Sequence, residues 1–446
     1  MMRSIERRET GRCPLVCEGE GGDSTGGRPV HAVEKILARA AGQEEVSTGE
    51  IVNCRVDLAG INDLYLQTLR SFAEMGGVKV HDPGKVVMFL DHFAPPSTIT
   101  QADNQKQFRR FCREQGIDLV MDIDQGVCHQ VLADRGLVRP GMLLVVTDSH
   151  TTTHGAFGAF GTGVGATDLA IILITGRLWF RVPEVIRIDL EGTLSPGVYA
   201  KDIILKVIGT LGADYGVYRA VEFTGPALAG LGMAERMTLC NMTTEMGAKT
   251  AYIQPDRVTF AFLQGKAQAE LPAVTTDPGY RYAAEHCFDV TGMKPQLAAP
   301  HSVDNVADVD EYLGRPVDQA YLGTCTGGRV EDLAVAARIL RGRRISPGTR
   351  FVVVPASKGV FLEAMARGDV QALVEAGATF VTPSCAACLG THQGILARGE
   401  TCITASSRNF PGRMGHAGAE IFVASPASVA AAALEGKIAD PRKYLE

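Results

Sequence analysis

The chain has 446 residues, of which 46% are hydrophobic and 21% charged. That balance belongs to a globular protein with several cores, and the length fits roughly two to four domains of about 100–200 residues each. Lys plus Arg is 44 and Asp plus Glu is 50, a formal charge of −6, which argues against a disordered or strongly basic protein and against general binding to nucleic acid or anionic membranes.

Residues 1–29 contain no continuous apolar region, so they do not read as a secretory signal. Their arginines would suit a transit peptide, but Glu6, Glu9, Glu18 and Glu20 would not. They read as a flexible extension or a start placed too early. Cys13 and Cys17, within it, have ligand spacing in a setting that makes them a decoy. No window further on reaches the roughly 18 apolar residues of a membrane span. Eleven cysteines are an odd number in a chain without an export signal. Reduced thiols or metal ligands are then expected rather than disulfides, and the cytoplasm is the expected compartment.

From residue 31 onward, helical and strand patterns alternate. Residues 31–41 place Val33, Ile36 and Leu37 on one helical face. Short runs rich in Val, Ile and Leu recur at 86–90, 119–121, 143–146, 185–190, 320–322, 351–354 and 379–381. Helical segments such as 331–341 and 360–367 separate them. Buried parallel strands with crossover helices have this pattern, so the fold class is α/β with more than one sheet. Residues 265–300 read as a loop-rich linker. Three domains follow, at 30–184, 185–295 and 300–446.

The reactive residues gather where the apolar runs end. One run ends in Asp91-His92 and another in Asp148-Ser149-His150. Later runs end at Cys325, at Cys385-Ala-Ala-Cys388 and at Ser407-Arg408. Ligands of open α/β sheets bind beyond the carboxyl ends of the strands, so five such ends point to one composite site. Cys385 and Cys388 form a CxxC, with Cys325 at an earlier strand end. Three thiolates on a [4Fe–4S] cube would leave one iron open as a Lewis acid. A zinc half-site, a redox pair or buried thiols fit the spacing equally.

Asp91, His92, His129, Asp148, His150 and Glu245 can form carboxylate–imidazole pairs, which fix the tautomer of a histidine and raise its pKa. Arg408 and Arg413 can clamp carboxylates, or can serve as structural ion pairs. Residues 155–168, GAFGAFGTGVGATD, superficially look like a dinucleotide loop. They lack the acidic residue expected after a second strand, and instead read as close packing behind the Asp148-Ser149-His150 strand end.

These segments resemble the aconitase superfamily, and within it the large subunits of 3-isopropylmalate dehydratase and homoaconitase. MFLDH, QGVCH, VTDSHTTTHGAFGAFGTGVGATD, ERMTLCNMTTE, LGTCTGGRVEDL, SCAACLGTHQG, SRNFPGR and FVASP carry the resemblance, from about residue 31 to the C-terminus. It implies three aconitase-like α/β/α domains around a shared iron–sulfur cleft. It implies that Cys325, Cys385 and Cys388 ligate a [4Fe–4S] cluster. It further implies the pairs Asp91–His92, Asp148–His129 and Glu245–His150, with His92 protonating a departing hydroxyl. Ser149 and Asn241 would lie near substrate or cluster, Arg408 and Arg413 would hold a substrate carboxylate, and Asn62 would touch substrate.

The implied activity is reversible removal of water from a malate-type hydroxy di- or tricarboxylate. 3-Isopropylmalate, in leucine biosynthesis, is the leading substrate. Homoaconitate and 2,3-dimethylmalate are the alternatives, and a non-catalytic iron- or zinc-binding regulatory paralogue is a further reading. In this family the catalytic base is a serine of a swivelling domain. The chain has no room for that domain after residue 446, so a separate small subunit is implied. Gly327, Ser384 and Ser407 depart from the residues that the family places beside the cluster ligands, where changes tune a metal site.

Overall fold

The computed structural model describes residues 28–266 and 273–445. The extension expected over residues 1–29, with Cys13 and Cys17, lies outside the described residues except for Arg28 and Pro29.

The first sheet has five parallel strands, in the order Val120–Met121, Val86–Phe89, Leu58–Asn62, Leu143–Val146 and Phe160–Gly163. The segments VVMF and LLVV are buried along their whole length, as expected of a parallel sheet covered on both faces. From Leu58–Asn62 the chain winds to one edge, then returns and winds to the other. This reversal falls between Leu58–Asn62 and Leu143–Val146, and such a switch point opens a crevice at the carboxyl strand ends. Those ends run into Asn62-Asp63 and Thr147-Asp148.

The third sheet repeats the device. Its seven strands run Val306–Asp308, Gln296–Ala298, Glu420–Ala424, Thr401–Thr404, Gln319–Gly323, Arg350–Val354 and Thr379–Phe380, the last five of them parallel. Its reversal lies between Gln319–Gly323 and Thr401–Thr404. Cys325 follows the first of these strands, and Ser407-Arg408 follow the second.

Between these in sequence, a parallel sheet orders Thr250–Tyr252, Ala220–Thr224, Val185–Glu191 and Ala284–Asp289. The linker reading of residues 265–300 is corrected here. Ala284–Asp289 pairs with Val185–Glu191 from Ala284↔Ile186 to Asp289↔Glu191, and Gln296–Ala298 joins the third sheet. The segment AEHCFD is an edge strand with no fully buried position, so it carries no apolar alternation to read. A separate antiparallel ribbon pairs Ile51–Arg55 with Arg177–Arg181.

Arg329 ties the three larger sheets' surroundings together. It is 2% exposed. Its Nε donates to Gln130 Oε1 at 3.0 Å, and its Nη1 donates to Ala234 O at 3.0 Å and Thr238 Oγ1 at 2.7 Å. The glycine-rich segment packs as its composition predicts. A Cβ built at Gly155 would lie 2.1 Å from Ala251 O, and one at Gly163 would lie 2.6 Å from Asp148 O. Only glycine permits these backbone approaches. Among the described residues, no helix is long and apolar enough to cross a membrane.

Candidate functional site

The strand ends of the first and third sheets face each other across a cavity of about 100 Å³. His92, His129, Asp148, Ser149 and His150 line one side. Cys325, Cys385, Cys388, Ser407, Arg408 and Arg413 line the other.

His92 is clamped between two carboxylates. Its Nδ1 lies 2.8 Å from Asp91 Oδ1, and its Nε2 lies 3.4 Å from Asp148 Oδ2. Burial alone would lower its pKa, but the neighbouring Cys385, Asp91 and Asp148 hold it well above the usual histidine value. The backbone is held as firmly. Asp63 accepts from the amides of His92 and Phe93 at 2.9 and 3.2 Å and from Gln105 Nε2 at 3.1 Å. Asp91 Oδ2 accepts the Cys128 amide at 2.8 Å, so the same carboxylate fixes the start of the helix Cys128–Asp134 that carries His129.

Asp148 is the hub of the next pair. Its Oδ1 lies 2.9 Å from His129 Nε2 and accepts the His150 amide at 2.8 Å. Burial pushes its carboxyl upward, but His129, then His150 and His92, bring it well below the usual range. His150 Nε2 lies 2.8 Å from Glu245 Oε1, the same oxygen that accepts Arg408 Nε at 2.7 Å. Arg408 Nη2 also donates to Ser149 Oγ at 2.9 Å. Glu245 is held below its usual range, because His150 and Arg408 outweigh its burial.

The three thiols are buried and form no disulfide among the described residues. Asn241 Nδ2 donates to Thr153 Oγ1 at 2.7 Å and to Cys325 Sγ at 3.3 Å. Arg413 Nη2 approaches Cys388 Sγ at 3.8 Å. Burial, then the neighbouring Cys385 and Cys388, push the Cys325 thiol up to about 12. Burial also raises the Cys385 thiol, and a cationic centre between such thiols would offset the cost of ionising them. Arg413 Nε and Asn241 Oδ1 are buried without a hydrogen-bond partner among the described residues. Three cysteines on one cavity, with these unpartnered polar atoms beside them, therefore fit an iron–sulfur group.

A model of the aconitase family (aconitate hydratase) matches residues 34–436. The chain belongs to the aconitase family. It is 48% identical to the 3-isopropylmalate dehydratase large subunit 1 of Methanopyrus kandleri over 413 residues, covering 92% of this chain and 99% of that one. It is 45% identical to the probable methanogen homoaconitase large subunit of Methanothermobacter thermautotrophicus over 419 residues, covering 93% and 98%. A solved structure, aconitase X of Thermococcus kodakaraensis in its holo form, aligns with a TM-score of 0.49 at 12% identity, over 84% of this chain and 89% of that one.

The departures from the aconitase-family pattern have local explanations at two of the three positions. A Cβ at Gly327 would lie 2.3 Å from Ala405 Cβ, so the tight approach of the two strand-end loops requires glycine there. Ser384 is fully buried and donates its hydroxyl to Thr382 O at 3.0 Å, closing the turn before Cys385. Ser407 is 2% exposed and lines the cavity, and nothing in the structure explains the choice of serine.

Two expected substrate contacts, Asn62 and Asn241, are fully buried and do not reach the cavity wall, Asn241 standing behind it on Cys325, and Asn62 bound elsewhere. Asn62 Nδ2 donates to Thr147 O at 2.9 Å and its Oδ1 accepts from the Leu64 amide at 3.3 Å, so the amide stitches the switch point shut. Leu64 and Tyr65, just beyond it, do line the cavity. Asp63, next in this loop, holds the backbone around His92. Its spacing from the two amides of residues 92 and 93 is a tertiary relationship that no linear pattern displays.

Proposed function

We propose that the chain is the cluster-bearing large subunit of a [4Fe–4S] hydro-lyase that reversibly dehydrates a malate-type hydroxy di- or tricarboxylate. 3-Isopropylmalate is the leading substrate, with homoaconitate and 2,3-dimethylmalate as alternatives. The observation that carries this reading is the convergence of Cys325, Cys385 and Cys388 with His92, Arg408 and Arg413 on one cavity.

Cys325, Cys385 and Cys388 would hold the cluster. When bound, its open iron supplies Lewis acidity to a substrate hydroxyl or carboxylate. The chain's own residues do the rest. His92 keeps a proton on its ring because Asp91 and Asp148 stand at its two nitrogens, and it delivers that proton to the departing hydroxyl. Arg408, aimed by Glu245 and Ser149, and Arg413 bind substrate carboxylate. Asp148–His129 and Glu245–His150 fix the imidazoles around the bound substrate. Asn241 orients Cys325. Asn62 acts by shaping the Leu64-Tyr65 wall.

The carbon-bound proton is taken by a base on a separate small subunit, whose swivelling domain completes the cavity. The division into units 30–184, 185–295 and 300–446 is supported by the first and middle sheets each falling within one of them and by six of the third sheet's seven strands falling within 300–446; the seventh, Gln296–Ala298, lies just before that unit. The cytoplasm is the proposed compartment.

The test is anaerobic reconstitution with iron and sulfide, together with the small subunit, followed by hydration assays on unsaturated di- and tricarboxylates. A brown holoprotein that hydrates one of them is expected. A loaded pair inert toward all of them overturns the proposal. One zinc per chain without labile sulfide favours the metal-binding, non-catalytic reading.

A further inference from the structure

Lys201 is an anomaly in the fold. It lies in the first turn of the helix Ala200–Leu211, yet it is 2% exposed and among the largest fully buried side chains. An ammonium is placed in a core only where specific partners offset its desolvation. Its partners are two backbone carbonyls, Ala405 O and Ser406 O, each 2.9 Å from Nζ. Those carbonyls belong to the two residues immediately before Ser407 and Arg408. The Ala405 carbonyl is held from a second direction by Thr326 Oγ1 at 2.9 Å, and Thr326 follows Cys325 in sequence.

Among the described residues, no carboxylate forms a hydrogen bond or an ion pair with Lys201. The negative groups whose charges act on it include the thiolate positions of Cys325 and Cys388, with Asp332 between them in strength. Arg329 is the opposing cation. Burial lowers its pKa to about 8, with Cys325 resisting that fall.

We propose that Lys201 is a positioning residue that fixes the strand end carrying Ser407 and Arg408 and also supplies a buried positive charge on the Ala405 carbonyl, which it shares with Thr326, the residue after Cys325. The inference rests on the cluster reading for its second half and stands without it for its first. A cluster held by three thiolates carries net negative charge that increases on reduction, so a fixed ammonium nearby favours the reduced form. The same ammonium, by gripping two consecutive carbonyls, sets the direction in which residue 408 leaves the strand.

Two variants separate the parts. Lys201→Gln keeps an N–H donor for a carbonyl and loses the charge. Lys201→Met loses both. In the reconstituted holoprotein with its small subunit, both are expected to incorporate iron and sulfide. Both should show a midpoint potential more negative than wild type in a redox titration followed by electron paramagnetic resonance. The Met variant should also lose roughly 10–100-fold in kcat/KM, the Gln variant less. Unchanged potentials together with unchanged kcat/KM overturn the proposal.

If neither neutral variant folds, Lys201→Arg retains the charge. A wild-type potential in that chain supports the proposal, and a potential displaced downward overturns it. If the wild-type protein itself takes up no iron and sulfide, the cluster reading has failed, and hydrogen exchange of the metal-free chain decides the positioning role. Faster exchange confined to residues 405–413 in the Met variant supports it, and unchanged exchange there overturns it.

Discussion

Arg408 and His150 share one atom, Oε1 of Glu245, at 2.7 and 2.8 Å. The two donors come from different sheets, and the acceptor comes from the helical segment that follows Met233–Met242. This single buried oxygen therefore sets the angle between a histidine and an arginine that face the same cavity. Glu245→Gln keeps the shape but replaces the charge. Hydrogen bonds to charged groups contribute about 1.5–3 kcal/mol, so kcat/KM is expected to fall roughly 10–100-fold. Most of the loss should appear in KM if Arg408 binds substrate. Steady-state kinetics of the reconstituted pair check this, and an unchanged KM with a lowered kcat would assign Arg408 to the chemical step instead.

The thiol nearest Arg413 gives a sharper test. Cys388→Ser removes one of the three sulfurs around the cavity, and hydroxyl oxygen is a poor ligand for iron. Iron and labile sulfide analysis should fall to background, and turnover with it. Retained turnover at background iron would separate the chemistry from the cluster.

The pH dependence follows from His92. Its folded pKa is raised well above the usual value, and its proposed role needs the protonated ring. The alkaline limb of kcat/KM is therefore expected well above about pH 6.5, the unperturbed histidine value. Asp91→Asn removes the partner at Nδ1 and should move that limb toward lower pH. The linkage to stability has the same sign. A raised folded value contributes fully below about pH 6.5, and the contribution is lost as pH rises through the folded pKa. A limb that does not move in the Asn variant removes His92 from the role of acid.

The glycine packing predicts a stability effect at some distance from any reacting group. Gly155→Ala drives a methyl onto the Ala251 carbonyl oxygen, 2.1 Å from the built Cβ. Backbone cannot swing aside as a side-chain tip can, so a loss of about 1–3 kcal/mol is expected. Gly230→Ala is the control, since nothing lies within 4 Å of its Cβ and its φ is not positive. Thermal unfolding of the two variants should separate them clearly, and equal midpoints would show that the 155–163 segment can relax.

The strand-end logic was readable in the sequence because buried parallel strands announce themselves as apolar runs. His92, Asp148, Cys325 and Arg408 could be placed from where those runs stop. Other features are not written in any local pattern. The edge strand Ala284–Asp289 is half wet throughout, so it offers no period to detect. Asp63 acts through amides at residues 92 and 93. Lys201 looks like an ordinary helix-surface lysine until the third sheet's strand end is packed on it. Asn62 is the converse case. Its position beside the cavity was legible, but its amide is spent on Thr147.

The strand order of the third sheet also dictates a timetable. Gln319–Gly323, which leads to Cys325, is flanked by Thr401–Thr404, and that strand is in turn flanked by Glu420–Ala424. A chain emerging from the ribosome presents its earlier residues first. Cys325, Cys385 and Cys388 are therefore all synthesised before Glu420–Ala424, which completes that side of their sheet, is available. The interval before residue 424 joins the sheet is the period in which these thiols most need protection.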